Sequence, residues 1–114
     1  MSDNLKFRER AVGEAAVLAM CGSADMTTAD RVRTAIESLL DRGYRKIVLD
    51  MGDMDFICSM ALGAIIAGHV RSKRSNGSIR LANPQPAIRQ LLDTTCLTKL
   101  LPVFETVEQA ATAD

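Results

Sequence analysis

Alternating apolar and polar residues near the amino end of the chain predict a β-hairpin. The segment Leu5–Arg8 alternates apolar with charged side chains, which is typical of a strand with one face in solvent. A more apolar segment, Ala15–Met20, follows a turn signal at Gly13-Glu14. We expect these two strands to pair antiparallel and the second to end in a loop over Cys21–Asp25.

The next segment has the 3.6-residue period of an amphipathic helix. Thr27 and Asp30 have the spacing of a capping box, which predicts that the helix begins there. Gly43 stands where a glycine often ends a helix. The apolar stripe between them consists of Val32, Ala35, Ile36, Leu39 and Leu40.

A strand-to-helix unit follows, and its pattern is the most distinctive in the chain. The strand predicted at Lys46–Met51 contains an apolar run heavy in β-branched residues, as in a strand buried on both faces. A loop rich in Asp, Gly and Met then leads to a helix predicted from about Met60 to Ser75. The helical spacing predicts a buried stripe of Leu62, Ile65, Ile66, His69 and Val70.

The remaining residues predict two more strand-to-helix units. A strand is predicted at Ser78–Ala82, and Pro86 is suited to the first turn of the helix after it. A last strand is predicted at Leu100–Phe104, where Pro102 favours a position at the edge of the sheet. Thr106 and Gln109 have the spacing of a second capping box, which predicts a short final helix. The apolar side of the helix after Pro86 is formed by Ile88, Leu91 and Leu92.

The resulting order, β-β-α-β-α-β-α-β-α, predicts an α/β fold. Strands that alternate with helices favour right-handed crossovers and parallel neighbours, whereas the first hairpin must be antiparallel. We therefore expect a mixed, mostly parallel sheet of about four to five strands with about four helices, mostly on one side of the sheet. At 114 residues, the chain is expected to be one domain over residues 1–114.

Composition narrows the functional classes. Fourteen basic and fourteen acidic residues cancel, so no overall charge attracts the chain to nucleic acid or to an anionic membrane. The first residues are charged where a signal peptide is apolar, and the longest nearly apolar run, Met60–Gly68, is shorter than a membrane span. We expect a cytoplasmic protein with neither membrane nor nucleic-acid partners.

The three cysteines and the single histidine do not have the spacing of a disulfide framework or a zinc site. We therefore predict no metal and no cofactor. Cys21, Cys58 and Cys96 are expected to be buried or half-buried free thiols. His69 lies on or beside an apolar stripe, and we interpret it as a packed, hydrogen-bonded core residue.

Ser59, at the start of the second predicted helix, admits two interpretations. A helix start has unpaired backbone N–H groups and the positive end of the helix dipole. The hydroxyl of Ser59 could cap these N–H groups, or it could accept a phosphate group that they would stabilise. The neighbouring Cys58 is either a small residue in a tight turn or a redox-active thiol favoured by its place at the helix start.

Other chemistry has less support. A hydrolase that pairs Ser59 with His69 is disfavoured, because ten residues along a helix span about 15 Å. No glycine-rich phosphate-binding motif indicates a nucleotide site. Without interleaved aromatic residues, a cluster of four cations is interpreted as a solvated surface: Arg71, Lys73, Arg74 and Arg80.

Several segments resemble those of a known family. The loop Gly22–Asp25 is similar to the family's Gly-x-Leu-Asp loop. The run Ile47–Asp50 followed by Phe56–Gly63 is similar to its strand and its Asp-Ser-Ser-Gly-Leu-Gly turn. Leu81–Pro84 and the later pattern Ile88-x-x-Leu91-Leu92 are similar to its fourth strand and third helix. In this order and spacing, the chain resembles the STAS domain family, specifically the stand-alone bacterial anti-sigma factor antagonists.

The resemblance implies a phosphorylation-controlled partner switch and no enzymatic activity. The expected partner is an anti-sigma factor that is also a serine kinase of the histidine-kinase-like ATPase type. This kinase would phosphorylate Ser59, and a serine phosphatase would reset the protein. The partner-binding residues implied by the resemblance are Asp25, Cys58, Ser59, Met60, Ala61 and Leu62.

A second hypothesis is an unswitched STAS interaction or scaffold module. It arises because Cys58, Met60 and Ala61 stand where the family has aspartate, a second hydroxyl residue and glycine. For the oligomeric state we expect a monomer or weak dimer, although a sheet edge near Leu5 and Phe7, or at the strand that contains Pro102, could be open to pairing.

Overall fold

The predicted amino-terminal hairpin is present in the computed structural model, which describes residues 4–113. Its strands, β1 (Leu5–Val12) and β2 (Ala15–Ala24), are longer than expected and pair antiparallel along their whole length. The loop predicted at Cys21–Asp25 therefore begins only after Ala24. The prediction was wrong there because a further strand pairs with the end of β2 and holds it extended.

The other elements follow the predicted order with one addition. The added strand, β4, lies in the segment that we predicted to be a loop, and it raises the number of strands to six. The last predicted strand has only two residues, and a 3₁₀ turn at Leu97–Lys99 precedes it. The elements after the hairpin are α1 (Ala29–Asp41), β3 (Lys46–Asp50), β4 (Met54–Ile57), α2 (Ser59–Lys73), β5 (Ser78–Ala82), α3 (Pro86–Thr94), β6 (Val103–Phe104) and α4 (Val107–Thr112).

The strands form one mixed, mostly parallel sheet, as predicted. Its order is β1-β2-β3-β5-β6, and only the β1–β2 pair is antiparallel. The first half of β2, Ala15–Ala19, pairs with β3, and its last residues, Gly22–Ala24, pair with β4 with a register shift between Gly22 and Ser23. This arrangement brings the ends of β2 and β4 side by side.

Alternating side chains of the central strands build a core on each face of the sheet. Leu18 and Leu49 belong to the larger core, beneath α1, α2 and α3. Val17 and Val48, one residue earlier, belong to a smaller core beneath α4. Three helices therefore cover one face and a single short helix covers the other, which confirms the expectation of helices mostly on one side.

Most predicted helix ends are confirmed, including Pro86 as the first residue of α3. Gly43 ends α1 with a φ of 93°, and the Thr106 hydroxyl accepts a 3.1 Å hydrogen bond from the Gln109 backbone N–H at the start of α4. The capping box at Thr27 and Asp30 was wrong. The Thr27 hydroxyl instead donates to the Asp25 carboxylate at 2.6 Å. Thr28 holds the cap position without a side-chain cap bond, because its hydroxyl accepts from the Asp25 N–H and donates to the Ser23 carbonyl.

The buried stripe of α2 differs from the prediction at its end. Leu62, Ile65 and His69 are buried, but Val70 is 50% exposed. His69 is a core residue, as predicted: its Nδ1 accepts a 3.1 Å hydrogen bond from the backbone N–H of Ile79 on β5.

Stability is expected to fall on mild acidification because of His69. Burial, with repulsion from Lys73, lowers the pKa of this imidazole below its ordinary value of 6.5. The unfolded chain then binds the proton more readily, so the free energy of unfolding decreases as the pH falls below about 6.5. Urea unfolding at pH 7.5 and pH 5.5 measures the effect. His69→Gln should flatten this dependence because it removes the only histidine of the chain, and an unchanged slope would contradict the assignment.

Alanine substitutions at two glycines of α2 should change the free energy of unfolding in opposite directions. A Cβ on Gly68 would lie 2.6 Å from Ile36 Cγ2 and 2.9 Å from Ile79 Cδ1, whereas one on Gly63 would meet nothing within 4 Å. Gly68→Ala should therefore lower the free energy of unfolding by about 1–3 kcal/mol through overpacking. Gly63→Ala should raise it by roughly 0.5–1 kcal/mol through helix propensity. Chemical denaturation of both variants tests the pair, and effects of the same sign would refute the packing argument.

Candidate functional site

The ends of β2 and β4 place the two loops of the predicted site together. Ala24 is the partner of Ile57 in the parallel pair, and the backbone N–H of Cys58 donates to the Ala24 carbonyl at 2.8 Å. Asp25 and Cys58 therefore lie side by side, directly after the carboxyl ends of β2 and β4. Ser59 follows directly as the first residue of α2.

Ser59 is exposed at a helix start whose N–H groups are not capped by a side chain. Cys58 holds the cap position with extended backbone angles and makes no side-chain cap bond. The first helical bond joins the Leu62 N–H to the Cys58 carbonyl at 3.0 Å, so the preceding N–H groups have no acceptor within the helix. Among residues 4–113, the Ser59 hydroxyl has no hydrogen-bond partner. The interpretation of Ser59 as the helix cap is therefore wrong.

Asp25 holds the neighbouring loop in shape. Its Oδ1 accepts hydrogen bonds from the Thr27 hydroxyl at 2.6 Å and the Thr27 backbone N–H at 2.9 Å, and Oδ2 accepts one from Asn4 Nδ2 at 3.3 Å. The bond from the Thr27 hydroxyl is the main reason that the pKa of the Asp25 carboxyl lies below its ordinary value. Asp25 is therefore an anion at neutral pH and orders the chain between β2 and α1.

A second acid ties β4 to the end of β2. The Ser23 hydroxyl donates to Asp55 Oδ1 at 2.7 Å, and the Gly22 N–H donates to the Asp53 carbonyl at 2.9 Å. The side chains of Asp53 and Asp55 are exposed. Because Asp25 lies in the adjacent loop, negative charge accumulates at the carboxyl ends of β2 and β4.

Exposed apolar side chains lie on the elements that meet here. Met26 is 72% exposed in the loop after β2, Phe56 is 51% exposed on β4, and Met60 is 51% exposed on the first turn of α2. We use the name Ser59 surface for these three residues and Ser59. Large exposed apolar side chains on adjoining elements make this region a candidate interaction site.

The predicted site residues divide into exposed and buried groups. Ser59 and Met60 are exposed, and Cys58 is half-buried. Ala61 and Leu62 are buried in the core of the isolated chain, so their predicted role in partner binding stays a prediction. Ala61 lies within α2 and needs no positive φ, so alanine is accommodated there without strain.

The other predicted chemical groups lie elsewhere. Within the described part of the chain, no group of three or more acidic, histidine or cysteine side chains is arranged for a metal ion. All three cysteines are free, and Cys96 is exposed, not half-buried as expected, because it lies at a turn after α3. No helix formed by residues 4–113 is long and apolar enough to cross a membrane.

Arg80 was wrongly assigned to a solvated surface. It is buried on β5, where its Nη1 donates to the Ala110 carbonyl at 2.7 Å and to the Ala113 carbonyl near the end of α4. Its Nε donates to the Ser78 hydroxyl at 3.0 Å. The guanidinium thus stabilises the carbonyl end of the helix that covers the smaller core.

Comparisons with known proteins agree with this architecture. A model of the STAS domain family matches residues 6–110. The anti-sigma F factor antagonist of Paenibacillus polymyxa is 26% identical over 97 residues, which cover 84% of this chain and 83% of that protein.

Solved structures share the fold. The crystal structure of an anti-sigma factor antagonist from Mycobacterium paratuberculosis matches with a TM-score of 0.87 at 23% identity, over 98% of this chain and 95% of that one. The anti-sigma factor antagonist SpoIIAA in its unphosphorylated form matches with a TM-score of 0.78 at 20% identity, over 92% of each chain. At these identities, the likeness establishes the fold alone.

Proposed function

This chain belongs to the STAS domain family, and on that basis we propose that it is an anti-sigma factor antagonist controlled by phosphorylation of Ser59. In this proposal, the unphosphorylated protein binds an anti-sigma factor that is also a serine kinase of the histidine-kinase-like ATPase type. Transfer of a phosphoryl group to Ser59 ends the complex, and a serine phosphatase restores it. The chain accepts the phosphoryl group and is not itself an enzyme. The protein acts in the cytoplasm.

The observation that carries the proposal is the position of the Ser59 hydroxyl. It is exposed, it has no hydrogen-bond partner among residues 4–113, and it stands at the positive end of a 15-residue helix. A phosphate attached there would meet the unpaired N–H groups of the first turn of α2. The folded protein could therefore carry the phosphate without losing stability.

The Ser59 surface supports docking of a partner at the same place. Met26, Phe56 and Met60 would lose exposed apolar area when a partner covers them, which favours binding. The exposed carboxylates of Asp53 and Asp55 would form part of a polar rim. An apolar centre with a charged rim is the usual composition of a protein–protein interface.

Phosphorylation would oppose this docking through desolvation. A phosphoserine carries about −1.5 to −2 charges, and here the partner would have to bury that charge among Met26, Phe56 and Met60. The nearby Asp25 is already anionic, so the added charge also increases local repulsion. Both effects act on the complex and leave the isolated fold intact.

An unswitched interaction module is the second candidate function. Two residues beside Ser59 favour it. Cys58 places a thiol at the cap of α2, where the family's pattern has a carboxylate, and Met60 is exposed on the other side of Ser59. In that case the Ser59 surface would bind its partner constitutively.

Phosphorylation in vitro tests the proposal. The purified chain is incubated with the candidate anti-sigma factor and Mg-ATP, and intact mass and site mapping follow. We expect one phosphate, on Ser59, that Ser59→Ala abolishes and Ser75→Ala does not; Ser75 is an exposed serine just beyond the other end of α2. Absence of phosphate on Ser59, together with equal partner binding by Ser59→Ala and Ser59→Asp, would favour the unswitched module.

A further inference from the structure

The outer edge of β1 is an unpaired strand edge. In the sheet formed by residues 4–113, β1 is the terminal strand and pairs only with β2. It is eight residues long, whereas the opposite terminal strand, β6, has two. An open edge of this length can accept another strand.

The hydrogen-bond register identifies which backbone groups face outward. The Ser23 N–H donates to the Asn4 carbonyl at 2.8 Å, and the cross-strand partners are Lys6–Cys21, Arg8–Ala19 and so on in steps of two. Because bonded pairs alternate in an antiparallel ladder, even-numbered residues of β1 bond to β2. The N–H and C=O groups of the odd-numbered residues point to the open edge; these residues are Leu5, Phe7, Glu9 and Ala11.

The side chains of β1 divide by charge between the two faces of the sheet. One face carries Lys6, Arg8 and Arg10, because every second residue of a strand points to the same side. All three are exposed, and none makes an ion pair with any residue in 4–113. On the other face, Glu9 is bonded to Arg42 at 2.6 Å and Phe7 lies under the Arg31 guanidinium. One face of the edge strand therefore carries three unmatched cations in a row.

Neighbouring strands do not neutralise this row. Its cross-strand partners on β2 are uncharged: Cys21, Ala19 and Val17. The nearest acid in register is Asp50, the partner of Ala19 on β3, two strands away from Arg8 and hence about 10 Å distant. Among residues 4–113, the cations therefore have no opposite charge at pairing distance.

A second copy of β1 is a poor partner for this edge. In an antiparallel pair centred on Arg8, Arg8 would oppose Arg8 and Lys6 would oppose Arg10; centring on Phe7 or Glu9 also sets cation against cation. Like charges directly opposite each other destabilise a strand pair. The edge thus disfavours self-association and favours a segment of opposite charge.

We propose that the edge of β1 binds an extended segment of a partner protein, in which acidic side chains alternate with uncharged ones, as an added strand. The acids would face Lys6, Arg8 and Arg10, while the segment's backbone bonds to the outward groups of Phe7, Glu9 and Ala11. This surface is distinct from the Ser59 surface, and its test requires neither the anti-sigma factor nor phosphorylation.

The test uses two isomeric peptides and the full chain. The probe is acetyl-Thr-Glu-Val-Glu-Val-Glu-Thr-amide, and its isomer, acetyl-Thr-Val-Glu-Glu-Glu-Val-Thr-amide, has the same composition without alternation. NMR titration should show that the alternating peptide binds at least about fivefold more tightly. It should also slow amide exchange at Phe7, Glu9 and Ala11, which face the open edge.

Variants separate strand addition from simple charge attraction. Arg8→Gln should weaken binding about two- to fivefold, whereas Arg74→Gln, at an exposed cation beyond α2, should have no effect. Ala11→Pro keeps every charge but removes an outward N–H, and it should also weaken binding. Equal binding of both peptides without amide protection would overturn the proposal, and so would a failure of both peptides to bind. If neither peptide binds, the remaining role for the three cations is to prevent edge-to-edge aggregation.

Discussion

Replacing Gly22 with alanine is expected to lower the free energy of unfolding by about 3 kcal/mol or more. Gly22 has a φ of 110°, and a Cβ built on it would lie 1.9 Å from the Asn4 carbonyl oxygen, a backbone atom that side-chain rotation cannot move aside. The residue also stands beside the register shift within the pairing of β2 with β4. Urea unfolding monitored by circular dichroism measures the loss.

Gly43→Ala is the matched control for this prediction. Gly43 also has a positive φ, 93°, but an added Cβ there would meet nothing within 4 Å. Its cost should be limited to the conformational strain of about 1–2 kcal/mol. If the two variants lose equal stability, the close approach of Asn4 to Gly22 is not what requires a glycine in β2.

Phosphorylation of Ser59 is expected to weaken binding to the anti-sigma factor at least about a hundredfold, which corresponds to about 2.7 kcal/mol. The physical reason is that a dianion must be desolvated among Met26, Phe56 and Met60 when the partner docks. Calorimetry or surface plasmon resonance with phosphorylated and unphosphorylated protein measures the ratio. Thermal unfolding of the two forms should differ little, because the phosphate meets the open end of α2.

Variants on and off the Ser59 surface distinguish charge from loss of apolar contact. Ser59→Asp should weaken binding less than phosphate does, since it adds only one charge. Phe56→Ser should weaken binding of the unphosphorylated protein, whereas Val70→Ser, at a comparably exposed apolar residue near the other end of α2, should not. Loss of affinity in both serine variants would indicate a general effect of polarity and not a defined docking surface.

The fold was predictable where the residue pattern is regular and local. The stripe of α1, the glycine at its end and the alternation of β1 follow from short-range spacing, and the structure confirms them. Strand β4 was missed because its four residues run buried, exposed, exposed, buried and so lack a period of two. Its pairing with β2 depends on a register shift that local sequence does not encode.

The candidate site was predictable only in part. The change of period near Ser59 located the helix start, and the resemblance to a family directed attention to its hydroxyl. Met26 and Phe56 were missed because isolated apolar residues in predicted loops carry no signal until the folded chain brings their elements together. Arg80 was misassigned because the carbonyl groups that bury it belong to a helix thirty residues later in the chain.

The uneven distribution of helices has a consequence for shortening the chain. On one face of the sheet, a six-residue helix is the cover for Val17 and Val48, and Arg80 fastens that helix through its terminal carbonyl groups. A protein truncated before Thr106 would keep the sheet, but the apolar side chains beneath α4 would be exposed to solvent. The Arg80 guanidinium would also lose the carbonyl groups that it binds. Such a fragment should aggregate at micromolar concentration. Partner-binding sites are therefore better mapped with point substitutions than with carboxyl-terminal truncations.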